Sequence, residues 1–162
     1  KLLLDANHQV FVRPHRDSRS YIPNKMDHIK NIFSNYDNFN WLEGKSSNEY
    51  LYQSHILITD WSGSAFSFSF GLNRPVIFID LPPKINNPDY LKFNNKPIEF
   101  IMRSKIGSVI SINDIDEINT TISEMQTNYK YYKNNINKLR GELIYNFGNS
   151  ANKGAEYIAN LS

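Results

Sequence analysis

A polar turn between two apolar runs carries the residues best suited to chemistry. Ser62, Gly63 and Ser64 lie in this turn, which follows the apolar run 56–58 and precedes a predicted helix. Hydroxyls and backbone N–H groups without an intrahelical partner converge at such a helix start, where the helix dipole is positive. The types and spacing of these residues therefore predict a phosphate-binding turn.

The same serines have two other interpretations. A serine at a helix start often acts only as an N-cap, so Ser62 or Ser64 could serve the helix alone. A hydrolase with a nucleophile elbow needs the pattern Gly-x-Ser-x-Gly, whereas Gly63 and Ser64 are adjacent and the second glycine is missing. The capping alternative stays open, and hydrolase chemistry is disfavoured.

A second group of candidate residues follows the predicted strand 9–12. Pro14 stops any helix at this point and presents Arg13 and His15 in a loop. The Arg13 guanidinium suits phosphate oxygens, and His15 offers a neutral or charged donor. Because open α/β sheets bind ligands at the C-terminal ends of their strands, we interpret this loop as part of a ligand site. A solvated basic loop is the alternative.

Two buried strands flank the polar turn and determine where it lies. The apolar runs 56–58 and 76–79 are each followed closely by an aspartate, Asp60 in the first case and Asp80 in the second. The roughly fifteen residues between the runs suffice for one crossover helix, and such a crossover joins parallel strands with right-handed sense. The stretch is therefore predicted to be a β-α-β unit.

The crossover segment itself has an ambiguous pattern. Phe66, Phe68 and Phe70 alternate with serines at period two, which taken alone indicates a strand. Gly71 and the segment 73–75, however, look like a helix stop, and three sequential strands would leave no crossover. We therefore predict a helix in this segment.

The rest of the chain fits the same α/β class, a Rossmann-like parallel sheet of about five strands with helices on both faces. The long segment 81–97, rich in Asn and Pro, is predicted to be a functional or mobile loop. Further strands are predicted at 9–12, 39–43 and 108–111. Further helices are predicted at 26–36, at 97–102 and over several segments beyond Asn113, and one more should begin at a capping box at 46–49.

The end of the chain is predicted to be a helix that packs back on the domain. Its N-cap would come from Asn149 or Ser150, and its apolar residues Ala155, Ile158 and Leu161 recur at helical spacing.

Composition narrows the classes of function. The 162 residues form one domain, which can bury most of its apolar surface. A net charge of +2 with scattered Lys and Arg disfavours nucleic-acid binding, and no apolar run is long enough to cross a bilayer. The chain has no cysteine. We expect no metal or cofactor at the site, because Arg13, His15, helix dipoles and hydroxyls can meet the charge of a phosphate.

Taken in order, these motifs resemble a known family over nearly the whole chain. They are similar to the C-terminal, nucleotide-binding half of CDP-glycerol glycerophosphotransferases, which make teichoic-acid-type polymers on a GT-B fold. The residues that carry the resemblance are Arg13-Pro14-His15, Leu57-Ile58-Thr59-Asp60-Trp61-Ser62-Gly63-Ser64, Arg74-Pro75-Val76-Ile77-Phe78 and Phe147-Gly148-Asn149-Ser150.

The resemblance implies roles for individual residues. Arg13 and His15 would contact the phosphates of the donor, and the turn would bind its pyrophosphate through Asp60, Ser62, Gly63 and Ser64. Further donor contacts would come from Arg16, Arg103 and Lys105. Because a carboxylate repels pyrophosphate, we expect Asp60 to organise the turn by accepting backbone N–H bonds or to face a hydroxyl of the ligand.

The implied function is that of a donor-nucleotide-binding domain in a bacterial cell-wall transferase that moves glycerol phosphate from CDP-glycerol to a surface polymer. The acceptor domain and the catalytic histidine would precede this chain, which begins at Lys1 without an initiator Met and is expected to be a piece of a longer protein. The isolated chain would bind the donor without transferring it. The full-length protein would act in the cytoplasm at the inner face of the cell membrane. This chain would contact the membrane only as part of that full-length protein.

Two alternative functions stay open, because this sequence departs from the family pattern at some positions. The family more often has Ser at the position of Gly63, and the segment 81–105 differs from the polymerase version of that region. A glycosyltransferase domain that uses a nucleotide sugar for surface polysaccharide is therefore the first alternative. A non-catalytic nucleotide-binding or assembly module is the second.

Overall fold

The structure, a computed structural model, describes residues 1–43, 49–83, 87, 89–92 and 97–161, with the side chains of Arg16 and Leu91 outside the description. The proposed capping box begins in a segment, 46–48, that lies outside the described residues, as does the predicted contact of the Arg16 side chain. The structural statements below concern the described residues.

Five short strands form two parallel sheets in the described part of the chain. One sheet pairs β1 with β2, and the other has the order β3-β4-β5 with β4 in the centre. This confirms the predicted α/β class with parallel strands, although the strands form two ladders rather than one. The strands are β1 (Val10–Val12), β2 (Phe39–Trp41), β3 (Leu57–Thr59), β4 (Val76–Asp80) and β5 (Gly107–Ser111).

Helices connect and cover these strands. Two 3₁₀ helices, Tyr90–Lys92 and Ile112–Glu117, occur as well. The α-helices are α1 (Leu2–Asp5), α2 (Arg16–Tyr21), α3 (Pro23–Phe33), α4 (Glu49–Gln53), α5 (Ser64–Leu72), α6 (Ile98–Ile106), α7 (Ile118–Thr127), α8 (Tyr129–Leu143) and α9 (Ser150–Ala159). Within the described residues, none of these helices combines the length and the apolar character needed to span a bilayer.

The three-stranded sheet is buried on both faces. Side chains alternate between faces along a strand, so Val76 and Phe78 of β4 point to one side and Ile77 to the other. Helices α5, α6 and α8 cover the first face, and α7 covers the second together with residues of α1. The prediction of helices on both faces is therefore confirmed for this sheet.

Helix α5 settles the ambiguity of the crossover segment. Ala65, Phe68 and Phe70 are all buried against the sheet, so the segment is apolar around most of its circumference. A helix of this kind has no clear polar face, and its pattern cannot be told from a strand by period alone. The sequence indicated the end of this helix correctly, because Asn73 is followed closely by Pro75. In the structure Asn73 is the C-cap residue and adopts the left-handed conformation (φ 57°).

Two helices differ from the sequence prediction in their extent or existence. Helix α6 extends to Ile106 rather than ending near Met102, so Arg103 and Lys105 are helical and not in a loop. Helix α2 occupies the segment after His15, for which no helix was predicted. Both extra stretches are short and lack a long apolar stripe, so the apolar pattern did not predict them.

The predicted C-terminal helix begins after Asn149, as expected, but the prediction of its packing was wrong. Helix α9 forms, but it has no buried residue, and Ile158 and Leu161 are each 69% exposed. The Asn149 side chain accepts a hydrogen bond from Asn152 Nδ2 (2.8 Å) and makes no capping bond to the backbone. An apolar stripe tells which face of a helix is apolar, but the tertiary structure decides whether the domain offers a surface to it.

Candidate functional site

The polar turn lies where β3 ends and α5 begins. Because β3, β4 and β5 are parallel, their carboxyl ends share one edge of the sheet, and this edge is where open α/β sheets bind ligands. Asp60 and Trp61 follow β3 directly, and Gly63 is the N-cap residue of α5 with right-handed helical geometry. The predicted position of the turn at a helix N-terminus is therefore confirmed.

Ser62 and Ser64 form a hydrogen-bonded pair in this turn. Their Oγ atoms are 2.8 Å apart, and the Ser64 N–H donates to the Ser62 Oγ at 3.3 Å. The N–H groups of Ala65 and Phe66 are satisfied by the carbonyls of Ser62 and Gly63. One serine hydroxyl can donate to the other, which leaves the hydrogen of the second hydroxyl for an external acceptor.

Two backbone donors complete the anion-binding character of the turn. Among the described residues, no hydrogen-bond partner accepts from the N–H of Ser62 or of Gly63. Both groups lie immediately before the first turn of α5, at the positive end of its dipole. Two N–H groups and one hydroxyl can thus donate hydrogen bonds to the oxygens of a phosphate here.

Asp60 does not organise the turn in the way expected. Its side chain is exposed, and no backbone N–H within the described ranges donates to its carboxylate. The remaining interpretation is that the carboxylate faces a hydroxyl of a ligand, which stays a prediction.

The second predicted group, the Arg13–His15 loop, follows β1 in the other sheet. Arg13 and His15 are both exposed. His15 is the N-cap of α2: its Nδ1 accepts from the Asp17 N–H at 3.3 Å and lies 3.6 Å from the Asp17 carboxylate. In the part of the chain that the structure describes, no hydrogen bond or ion pair joins this loop to the polar turn, so their cooperation on one ligand stays a prediction.

Comparisons with known proteins add no neighbour to this geometry. No family model matches the chain, and no curated protein or solved structure is significantly similar to it.

The structure reveals a cluster that the sequence did not indicate, formed around Trp61. The indole N–H of Trp61 donates to the Leu81 carbonyl at 2.6 Å. The guanidinium carbon of Arg103 lies 3.9 Å from the centroid of the indole, and Nη1 of Arg103 donates to Oδ1 of Asp80 at 2.9 Å. We call these three side chains, Trp61, Asp80 and Arg103, the Trp61 cluster.

The burial of Arg103 separates it from the other predicted donor contacts. Arg103 is only 6% exposed, and its guanidinium is occupied by protein groups. Lys105, two residues later on α6, is exposed, and its carbonyl accepts from Asn135 Nδ2. The only sequence signal for the cluster was the position of Trp61 and Asp80 beside the ends of two adjacent parallel strands.

An open cleft of about 670 Å³ lies beside the Trp61 cluster at the carboxyl ends of β4 and β5. A cleft of this size accommodates a small ligand. Trp61 and Phe100 give it an aromatic wall with ring centroids 4.7 Å apart, and Asp80, Ser111 and Asn113 supply polar groups. Within the described ranges, no group of three or more His, Asp or Glu side chains is arranged to hold a metal ion.

Proposed function

We propose that this chain is the donor-nucleotide-binding domain of a transferase that moves glycerol phosphate from CDP-glycerol to a cell-surface polymer. The observation that carries the proposal is the turn at the start of α5. There the paired hydroxyls of Ser62 and Ser64 meet the N–H of Gly63, which has no partner among the described residues, at the carboxyl edge of a parallel sheet. The resemblance of the motifs supplies the donor class.

The charge of the donor would be met without a metal. The turn would bind the pyrophosphate through the hydroxyls of Ser62 and Ser64 and through backbone N–H groups. Arg13 and the free ring nitrogen of His15 would contact the phosphates from the loop after β1. Both side chains are exposed and so available to a ligand.

The reaction itself would require a second domain. In a GT-B transferase the acceptor and the catalytic base come from the N-terminal domain, which faces this one across a cleft. The 162-residue chain is therefore proposed to bind the donor and to be inactive in transfer when isolated. Membrane contact would arise only in the full-length protein.

A nucleotide sugar is the second candidate donor. The cleft beside Trp61 favours it, because aromatic rings together with a carboxylate and hydroxyls suit the apolar face and the hydroxyl groups of a sugar. A glycosyltransferase domain for surface polysaccharide would use the same turn for its diphosphate.

A thermal-unfolding screen with CDP, UDP, GDP and CDP-glycerol tests the proposal. A ligand at about one hundred times its dissociation constant adds roughly 2.7 kcal/mol of stability, a shift of several degrees for a domain of this size. We expect the largest shift with CDP-glycerol, and a smaller one with CDP. A preference for UDP or GDP would indicate the nucleotide-sugar enzyme.

The matched control is the double variant Ser62→Ala with Ser64→Ala, which removes both hydroxyls and should lose the shift. Absence of a shift with every nucleotide in the unmodified chain would contradict the proposal and favour a non-catalytic assembly module.

A further inference from the structure

The buried guanidinium of Arg103 is the least expected polar group in the domain. It lies on α6, which packs on the sheet with Met102 and Ile106 in the core, and only 6% of the residue is exposed. Burial of a charge is costly unless the charge is paired and hydrogen-bonded. Arg103 is paired with Asp80, but its Nε atom is buried and has no hydrogen-bond partner among the described residues. Its hydrogen bonds alone thus give an incomplete account of its burial.

The guanidinium of Arg103 lies over the aromatic ring of Trp61. Its guanidinium carbon lies 3.9 Å from the Trp61 centroid and 5.3 Å from that of Phe78. A planar guanidinium stacks on an aromatic face in a way that the ammonium of lysine does not reproduce. Nη1 donates to Asp80 Oδ1 at 2.9 Å, and Nη2 is 3.4 Å from the Ile79 carbonyl. Arg103 therefore joins the end of β4 to the face of the Trp61 ring.

Trp61 is held at its edge as well as on its face. Its indole N–H donates to the Leu81 carbonyl at 2.6 Å, just past the end of β4. The Phe100 ring packs against it with a centroid distance of 4.7 Å. These contacts hold the ring between the end of β4 and helix α6.

Within the described residues, few side-chain hydrogen bonds link the polar turn to the rest of the domain. Trp61 immediately precedes Ser62, so the orientation of its backbone sets the direction of the Ser62 N–H. Within the described residues, the side-chain hydrogen bonds of Ser62 and Ser64 are to one another and to the turn itself, and the Asp60 carboxylate makes none. The indole N–H of Trp61 thus links the start of the turn to the segment just past β4.

We propose that Arg103 and Asp80 are positioning residues that hold Trp61 and thereby hold the Ser62–Ser64 turn in its anion-binding geometry. The inference rests on the proposed binding of a nucleotide by this turn. It assigns Arg103 a role through Trp61 rather than direct contact with the donor. Asp80 keeps the guanidinium over the ring, and the Leu81 carbonyl holds the edge of the indole.

The experiment uses the 162-residue chain with Trp41→Phe, which leaves Trp61 as its only tryptophan. Titration calorimetry with CDP and with inorganic pyrophosphate measures affinity, and the emission of Trp61 and its quenching by acrylamide report the environment of the ring. Arg103→Lys keeps the charge and loses the planar stack and fork. We expect it to weaken binding of both probes about tenfold, which is the effect of losing one charge-assisted hydrogen bond at the turn. The Trp61 ring should also become more accessible to acrylamide.

Arg140→Lys is the matched control, since Arg140 also stacks on a ring, that of Phe147 at 4.5 Å, and donates to a main-chain carbonyl, that of Phe70. It should change neither affinity nor Trp61 quenching. Asp80→Asn, which changes a half-exposed side chain with little change in shape, should lower affinity in the same direction if Arg103→Lys does not fold. Trp61→Phe keeps a ring but loses the N–H, and it should also weaken binding.

The outcomes separate this inference from the proposed function. Unchanged affinity and unchanged quenching in folded Arg103→Lys and Asp80→Asn, with binding by the parent chain, would overturn the positioning role and leave the proposed function intact. Equal losses of affinity in Arg140→Lys would overturn it too, because the effect would then be one of general stability. If the parent chain binds neither probe, the proposed function fails, and with it the role of the cluster in binding.

Discussion

The hydroxyl oxygens of Ser62 and Ser64 lie 2.8 Å apart at the N-terminus of α5. The paired hydroxyls can have either of two roles: they bind a ligand, or they only stabilise the start of the helix. The capping role is limited to one weak bond, from the Ser64 N–H to the Ser62 Oγ at 3.3 Å. The two roles have different consequences for affinity and for stability.

Ser62→Ala and Ser64→Ala should each weaken nucleotide binding by about tenfold or more, because a charge-assisted hydrogen bond contributes about 1.5 to 3 kcal/mol. Calorimetric titration with CDP-glycerol measures the affinity, and chemical denaturation measures the free energy of unfolding. If the serines act only as caps, each change would lower stability by about 1 kcal/mol and leave affinity unaltered.

Asp60→Asn tests the orientation of the one carboxylate in the turn. The side chain is exposed and, within the described ranges, accepts no backbone hydrogen bond, so the change should leave the free energy of unfolding within about 0.5 kcal/mol. If Asp60 faces a hydroxyl of the donor, affinity for CDP-glycerol should fall while affinity for pyrophosphate stays constant. A gain in pyrophosphate affinity would mean instead that the carboxylate points at the phosphates.

An added side chain should be tolerated at Gly63 and strongly destabilising at Gly107. Gly63 has φ −60°, and a Cβ there would lie more than 4 Å from every described atom outside Gly63 and its two chain neighbours, so Gly63→Ala should change stability by no more than about 1 kcal/mol. At Gly107, which pairs with Val76, a Cβ would lie 1.7 Å from the Val76 carbonyl oxygen. Gly107→Ala should therefore cost at least about 3 kcal/mol or abolish folding. Urea denaturation compares the two, and similar midpoints would contradict the close approach of β4 and β5.

Ser69 offers a site for stabilisation in the core. It is fully buried on α5, and its hydroxyl has no partner in the described residues. An unsatisfied buried polar group destabilises a fold, so Ser69→Ala should raise the free energy of unfolding by about 1 kcal/mol. The matched control is Ser67→Ala on the same helix, whose exposed side chain makes it close to neutral. A loss of stability in Ser69→Ala would indicate that the hydroxyl has a partner.

The contact between Lys30 and Glu43 should contribute to the free energy of unfolding in a way that depends on pH. The side-chain hydrogen bond from Lys30, and then its positive charge, hold the pKa of Glu43 below its ordinary value of 4.5. A lowered pKa in the folded state means that the stabilisation is present above about pH 4.5 and is lost as the pH falls through the folded pKa. Carboxyl NMR titration should find the pKa of Glu43 closer to 4.5 in Lys30→Gln than in the unmodified chain. An equal pKa in both would show that the pair does not persist in solution.

The sequence determined where the parallel strands and the polar turn lie. Short apolar runs bounded by polar residues located all five strands to within one or two residues. The clearest case is β4, where Val76, Ile77 and Phe78 are buried on both faces and the run is continuously apolar. The turn was readable because its position between a buried strand and a helix stop at Asn73 left room for only one crossover helix. These are local features, and a residue's immediate neighbours suffice to define them.

The tertiary structure alone decided which distant side chains meet. Trp61 and Arg103 are far apart in sequence, and the burial of an arginine on α6 beneath an indole ring follows from the way α6 packs on β4, which no local pattern encodes. The same reason accounts for α9: its apolar stripe was visible, but Ile158 is 69% exposed because the described part of the domain presents no surface that buries it. Periodicity specifies the apolar side of a helix, whereas packing requires a complementary surface from elsewhere in the chain.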